Sequence, residues 1–258
     1  MPKFCANLSM MFNEVDFLDR FAAAAKAGFR AVEFLFPYAY PRNQLVEIMN
    51  KANVEVVLFN MPPGDWNAGD RGIACDPNRM GEFQEGVGKA IEYAEALKCR
   101  QVHAMAGIKP RGVNDDKMRE VYVANLQFAA RAVAKHGLTL LIEAINTRDI
   151  PAFYLNYSRQ AFDVMHYVAE PNLRFQYDIY HMQIMEGDLA PTIEKHIASI
   201  GHMQLADTPG RHEPGTGEIN YGFLFKHIDK VGYEGWIGCE YRPAATTEAG
   251  LGWLRLYS

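Results

Sequence analysis

Short runs of β-branched, aromatic and aliphatic residues recur along the chain. Each is followed by a polar loop and then by a longer stretch whose apolar positions repeat at helical spacing. Eight such runs predict strands: Phe4 to Leu8, Ala31 to Phe36, Val54 to Asn60, Gln101 to Ala106, Thr139 to Ala144, Leu173 to Asp178, His202 to Ala206 and Trp236 to Tyr241. Helical spacing is clear from Glu14 to Ala27, where Phe17, Leu18, Phe21, Ala22 and Ala25 share one face, Asn13 is placed to cap the start and Gly28 to end the helix. Gly or Asn also stands between helix and strand at Ala52-Asn53-Val54, His136-Gly137-Leu138, Pro171-Asn172-Leu173 and Val231-Gly232-Tyr233. Such short returns predict a parallel sheet. Eight alternations without a composition break, linker or low-complexity segment predict an α/β fold, a closed (β/α)8 barrel forming a single domain over residues 1–258, in preference to an open doubly wound sheet.

Composition narrows the picture. The 258 residues match the length of one such barrel, and 49% hydrophobic against 22% charged residues excludes disorder. The formal net charge is −5, with no Lys/Arg cluster, so nucleic acid is not an expected partner. The start MPKFCANLSMMF carries no basic segment followed by a long apolar one, and no window approaches a membrane span; a cytoplasmic protein without membrane contact is expected. Cys5, Cys75, Cys99 and Cys239 form no CxxC pair and read as reduced, buried thiols. Neither GxGxxG after the first strand nor GxxxxGK[ST] occurs, which removes the two commonest nucleotide cradles.

In a barrel of this kind the chemistry sits at the C-terminal strand ends. Four successive strands end in a polar residue: Glu143 in LLIEA, Asp178 in FQYDIYH, Gln204 in GHMQLAD and Glu240 in IGCEY. Three carboxylates converging inside a barrel repel one another unless protonated or neutralised, and a divalent cation neutralises them. All four donors are oxygens, which suits Mg2+ or Mn2+ better than structural zinc, without choosing between the two. Gln204 is the weakest member on sequence grounds.

These residues lie within longer blocks that resemble the xylose-isomerase-like TIM barrels, and among them the hydroxypyruvate isomerase family. The blocks are ANLSMMF, AVEFLFPY, PPGDWNAGDRGIAC, LLIEAIN, QYDIYHMQ, HEPGTGEINY, GCEYRP and TTEAGLGW, together spanning nearly the whole chain. The resemblance implies a metal-dependent isomerase that interconverts hydroxypyruvate and 2-hydroxy-3-oxopropanoate (tartronate semialdehyde) through a metal-stabilised enediolate. It also implies that Glu143 and Glu240 are the acid/base pair. Related sugar epimerases carry His where Gln204 stands, a departure shared with the hydroxypyruvate isomerase branch.

The expected ligand is therefore a small hydroxy-oxo acid. His181, three residues past Asp178, and Arg211, on the loop after Gln204, are the expected substrate-binding residues. Arg242, Lys109 and Arg71 are further candidates to balance the substrate's charge. His103, His202 and His212 read as backbone-bonded histidines, Glu33 on the second strand either faces the pocket or closes the barrel layer, Glu213 is placed to support the site and Glu218 to open a helix near Asn220. Trp66 and Phe12 stand on loops that would shield the reacting atoms. Rival readings are isomerisation of a four-carbon 2-oxo-tetronate, epimerisation of a ketose, a metal phosphodiesterase like the abasic-site endonucleases, and a non-catalytic sugar-acid binding protein. A homo-oligomer is compatible with the outer helices, although nothing in the sequence marks an interface.

Overall fold

The structure, a computed structural model, describes residues 1–257. Eight strands form a closed parallel barrel in chain order: β1 (Lys3–Asn7), β2 (Ala31–Phe34), β3 (Glu55–Asn60), β4 (Gln101–His103), β5 (Thr139–Glu143), β6 (Leu173–Asp178), β7 (Ile200–Leu205) and β8 (Trp236–Cys239). Closure is made by β8 pairing with β1, with Cys5 opposite Gly238 and Ala6 opposite Cys239. The outer layer comprises α1 (Arg20–Lys26), α2 (Arg42–Ala52), α3 (Met80–Leu97), α4 (Asp115–Ala134), α5 (Ser158–Val168), α6 (Ile179–Met185), α7 (Leu189–His196), α8 (Tyr221–Lys230) and α9 (Thr247–Gly250).

The eight predicted runs are the eight strands, but most of them overrun the ladder at the C-terminal end. Leu35, Phe36, Ala104 to Ala106, Ala144, Ala206, Glu240 and Tyr241 lie past the last paired residue, where the backbone leaves the barrel to build its mouth. β7 begins earlier than expected, at Ile200, because a 3-10 turn over Ile197–Ser199 leads straight into it.

The first helix is shorter than its periodicity predicts. A 3-10 turn at Phe17–Asp19 precedes α1, and Asn13 does not cap it; the Asn13 amide donates to the Met10 carbonyl at 2.7 Å. Glu14 is drawn away as well, accepting from the Thr247 backbone N–H at 2.5 Å. The predicted stops hold at Gly28, Asn53, Gly137 and Gly232, all at positive φ. At the junction between α5 and β6 Ala169 takes the left-handed position instead, and Asn172 uses its amide to donate to the carbonyls of Ala130 and Leu138.

Between barrel and helices the core is continuous and aromatic. Phe4 meets Phe225 of α8 edge-on at 5.0 Å and Trp253 at 5.1 Å, which packs the C-terminal segment against the first strand. All four cysteines are buried and free, as the sequence predicts. Among the described residues no helix is long and apolar enough to cross a membrane.

Candidate active site

Glu143 ends β5, Asp178 ends β6 and Glu240 follows β8 directly, so all three project from the C-terminal rim. Ligand atoms of Glu143, Asp178, Glu240 and His181 lie within 4.8 Å of one another, all buried. Asp178 also caps α6: its Oδ1 accepts from the N–H groups of Tyr180 at 2.7 Å and His181 at 3.2 Å. That leaves Asp178 Oδ2 without a partner, and Glu143 Oε1 likewise.

Burial, together with neighbouring Glu240 and Asp178, pushes the Glu143 carboxyl well above its ordinary range. Burial raises Asp178 to about 6, with Arg211 pulling the other way. Burial also raises Glu240 to about 8, against the opposing pull of Arg211. Arg211 is thus the counter-ion within the site: its guanidinium lies 2.6 Å from Glu240 Oε2, 3.2 Å from Asp149 Oδ2 and 3.9 Å from Asp178 Oδ2. A single cation cannot balance this many carboxylates. Unpartnered buried oxygens facing one another are what a hard divalent ion needs, so the residues fit such an ion.

His181 is held by a residue the sequence reading passed over. The Asn146 Oδ1 accepts from the Asp149 N–H at 2.7 Å, so its Nδ2 faces His181 Nδ1 at 2.6 Å and donates to it. The ring proton then sits on Nε2, which lies 3.5 Å from Asp178 Oδ2 and 3.9 Å from Glu143 Oε1. Burial, then Arg211, pushes the imidazole well below its ordinary range, so it stays neutral. An Nε2–H in that position donates to an oxygen rather than ligating a cation.

Gln204 is buried on β7, opposite Asp178 in the β6–β7 ladder, and its Oε1 accepts from Gln176 Nε2 at 2.7 Å. Gln176, two residues before Asp178 and so on the same face of β6, was missed although strand alternation points to it. Two histidines read as backbone-bonded are not. His103 on β4 contacts Asn60 Oδ1 at 3.1 Å and lies 3.8 Å from Glu143, while His202 on β7 pairs with Glu33 at 2.7 Å. His212 does bond backbone, at the Arg242 carbonyl. Glu213 braces the mouth by accepting from the Ala244 N–H, and Asn220 caps α8 while Glu218 accepts from Gln183.

Above the carboxylates opens a cavity of about 740 Å³. Its wall includes Glu143, His181, Arg211, Glu240, Trp66 and Arg71. Arg71 lies over the face of Trp66, its Cζ 3.9 Å from the ring centre, with Nη1 donating to the carbonyls of Trp66 and Asp70. Arg242 also reaches the cavity. Lys109 does not; it pairs with Asp115 at 3.5 Å, outside the barrel mouth. Phe12 is packed against Phe29 rather than over the site.

Residues 21–257 match the family described as xylose isomerase-like TIM barrel. The chain is 51% identical to 2-oxo-tetronate isomerase of Cupriavidus necator over 100% of this chain and 99% of the relative. It is 50% identical to hydroxypyruvate isomerase of Escherichia coli over the full length of both. A crystal structure described as AP endonuclease, family 2, from Brucella melitensis superposes with a TM-score of 0.98 at 47% identity, covering 100% of this chain and 99% of that one. The two relatives matched by sequence are isomerases, and this chain is an isomerase as well. The chain belongs to the xylose isomerase-like TIM barrel family.

Proposed function

We propose that the protein interconverts hydroxypyruvate and 2-hydroxy-3-oxopropanoate, with a divalent cation, Mg2+ or Mn2+, held by Glu143, Asp178, Gln204 and Glu240. The observation that carries this reading is the cluster of three buried carboxylates with unpartnered oxygens, open to a cavity that cationic side chains line. When bound, such a cation supplies Lewis-acid polarisation of the substrate carbonyl, which acidifies the neighbouring C–H.

The reaction moves one carbon-bound proton from C3 to C2 and one hydroxyl proton from O3 to O2, with no net redox change. Glu143 and Glu240 project from strands on different sides of the rim, so one carboxylate removes the carbon-bound proton and the other returns one. In the reverse direction their roles exchange. His181 Nε2–H donates to the substrate oxygen on which charge develops, and Arg211 restrains the charge of Glu240. Arg71, stacked on Trp66 across the cavity, receives the substrate carboxylate.

A second reading, isomerisation of a four-carbon 2-oxo-tetronate, is favoured by the name of the Cupriavidus necator relative and by a cavity larger than a three-carbon acid fills. A DNA-cleaving reading meets a chain of net charge −5 without a basic stripe. The deciding experiment supplies EDTA-treated protein with hydroxypyruvate, restores Mg2+ or Mn2+, and detects tartronate semialdehyde with an NADH-dependent reductase that ignores hydroxypyruvate. Product should form only with metal. No product with either metal, alongside turnover of a 2-oxo-tetronate, would replace the first reading with the second. Glu240→Gln should keep the fold and lose at least about 100-fold in kcat; near-native turnover would remove Glu240 from proton transfer.

A further inference from the structure

Where barrels of this size stack Val, Ile and Leu, this one buries a second polar cluster beneath the rim carboxylates. At its centre is Glu33 of β2, only 1% exposed. Its Oε2 faces His202 Nε2 at 2.7 Å and accepts from Cys5 Sγ at 3.4 Å; its Oε1 accepts from Gln204 Nε2 at 2.8 Å and Asn7 Nδ2 at 2.9 Å. These partners come from β1 and β7, so the carboxylate reaches across the barrel interior. Gly238 of β8 makes the space for it, since a Cβ there would collide with both carboxylate oxygens.

A buried carboxylate is costly, and packing alone does not explain it, because an aliphatic side chain would fill the same volume without desolvation. What a carboxylate adds is polarity: it accepts at both oxygens and donates at neither. The Gln204 amide has one donating and one accepting end of nearly equal shape. Because Glu33 takes the NH2 end, the carbonyl end must point the other way, toward Gln176 Nε2 at 2.7 Å. Gln176 lines the cavity and stands opposite Glu143 in the β5–β6 ladder, so that direction leads to the rim carboxylates. Burial works to raise the Glu33 carboxyl, but the His202 imidazole and the bonds from His202, Gln204 and Asn7 hold it below its ordinary range.

We infer that Glu33 is a positioning residue: by accepting from Gln204 Nε2 it fixes the polarity of that amide, so that Gln204 presents its carbonyl oxygen, not its NH2, to the divalent cation. The inference rests on the metal reading above. Glu33→Gln replaces one accepting oxygen by a donor and sets NH2 against NH2 or imidazole.

Manganese affinity of the metal-free proteins, measured by titration calorimetry, should fall about 10- to 100-fold in Glu33→Gln. Gln204→Met should lose a similar amount, and the double variant should lose no more than the weaker-binding single variant, since both remove one interaction. Wild-type protein should also show a slowly exchanging Gln204 side-chain NH2 by 15N NMR, assigned from its loss in Gln204→Met; this holds whether or not Glu33→Gln folds. Wild-type binding with Glu33→Gln within twofold of it, additive losses, or an NH2 exchanging at the bulk rate would overturn the role of Glu33 alone. A wild-type protein that binds no Mn2+ would overturn the metal reading together with it.

Discussion

Asn146 decides what His181 can do, although it touches neither cation ligand nor cavity centre by itself. With its Oδ1 taken by the Asp149 N–H, only its Nδ2 can face the ring, and the proton is left on Nε2. Asn146→Asp would present an acceptor to Nδ1, draw the ring proton there and turn Nε2 from donor to acceptor. We expect kcat to fall about 100-fold, the loss typical of one donor to a developing oxyanion, with the tautomer change visible in the 15N shifts of His181. Arg71 acts at the other wall. Arg71→Ala should raise KM for hydroxypyruvate about 100-fold, the scale of a lost charged hydrogen-bond pair, and Arg71→Lys, which keeps the charge, should recover part of it; an unchanged KM in Arg71→Ala would take the carboxylate away from Arg71. At this scale the rim acids were legible because a carboxylate closing an apolar strand is out of place there. Asn146 and Glu33 were not, since an Asn in a loop and an acid inside a strand acquire meaning only from the elements folded against them.

Elements were legible where one local rule decides them. All eight strands follow from short apolar runs, and the helix stops at Gly28, Asn53, Gly137 and Gly232 follow from the left-handed backbone those residues tolerate. The rule failed where a distant contact competes with it. Asn13 and Glu14 suit a helix start, yet the Thr247 backbone, more than 200 residues away in sequence, claims Glu14 and the helix begins later. The mouth loops show the same competition. Gly72, at φ 95°, forms a bridge with Ala106, and any Cβ on it would meet the Met105 carbonyl, whereas a Cβ on Gly28, at φ 100°, meets nothing. Gly28→Ala should therefore cost about 1 kcal/mol from backbone strain alone, and Gly72→Ala about 3 kcal/mol once overpacking is added. Urea denaturation of the two variants checks the order. Gly72→Ala should also raise KM, because its neighbour Arg71 is carried on the displaced loop.

Across the whole molecule, closure between β1 and β8 brings strands from both ends of the chain to one rim, where carboxylates meet that are about a hundred residues apart. The fold thus holds a destabilising arrangement in place, so its stability should depend on pH and, on the proposed metal reading, on a divalent cation as well. The Glu240 carboxyl has an ordinary value of 4.5 and is raised to about 8 by burial; Asp178 moves from 3.8 to about 6 for the same reason. Between the ordinary and the raised values the native protein retains protons that the unfolded chain has released. The unfolded state then binds fewer protons, so stability falls as pH rises through that window. In EDTA the thermal midpoint should therefore decline from about pH 5 to about pH 8, the interval these two shifts define. A divalent cation binds the ionised carboxylates and displaces the protons, so Mn2+ should raise the midpoint more at pH 8 than at pH 5. Glu240→Gln removes the larger of these two shifts and should flatten the decline in EDTA. A midpoint in EDTA that rises toward pH 8, or a Mn2+ effect larger at pH 5, would mean that the rim acids are ionised without help and that the cluster is not held ready for a cation.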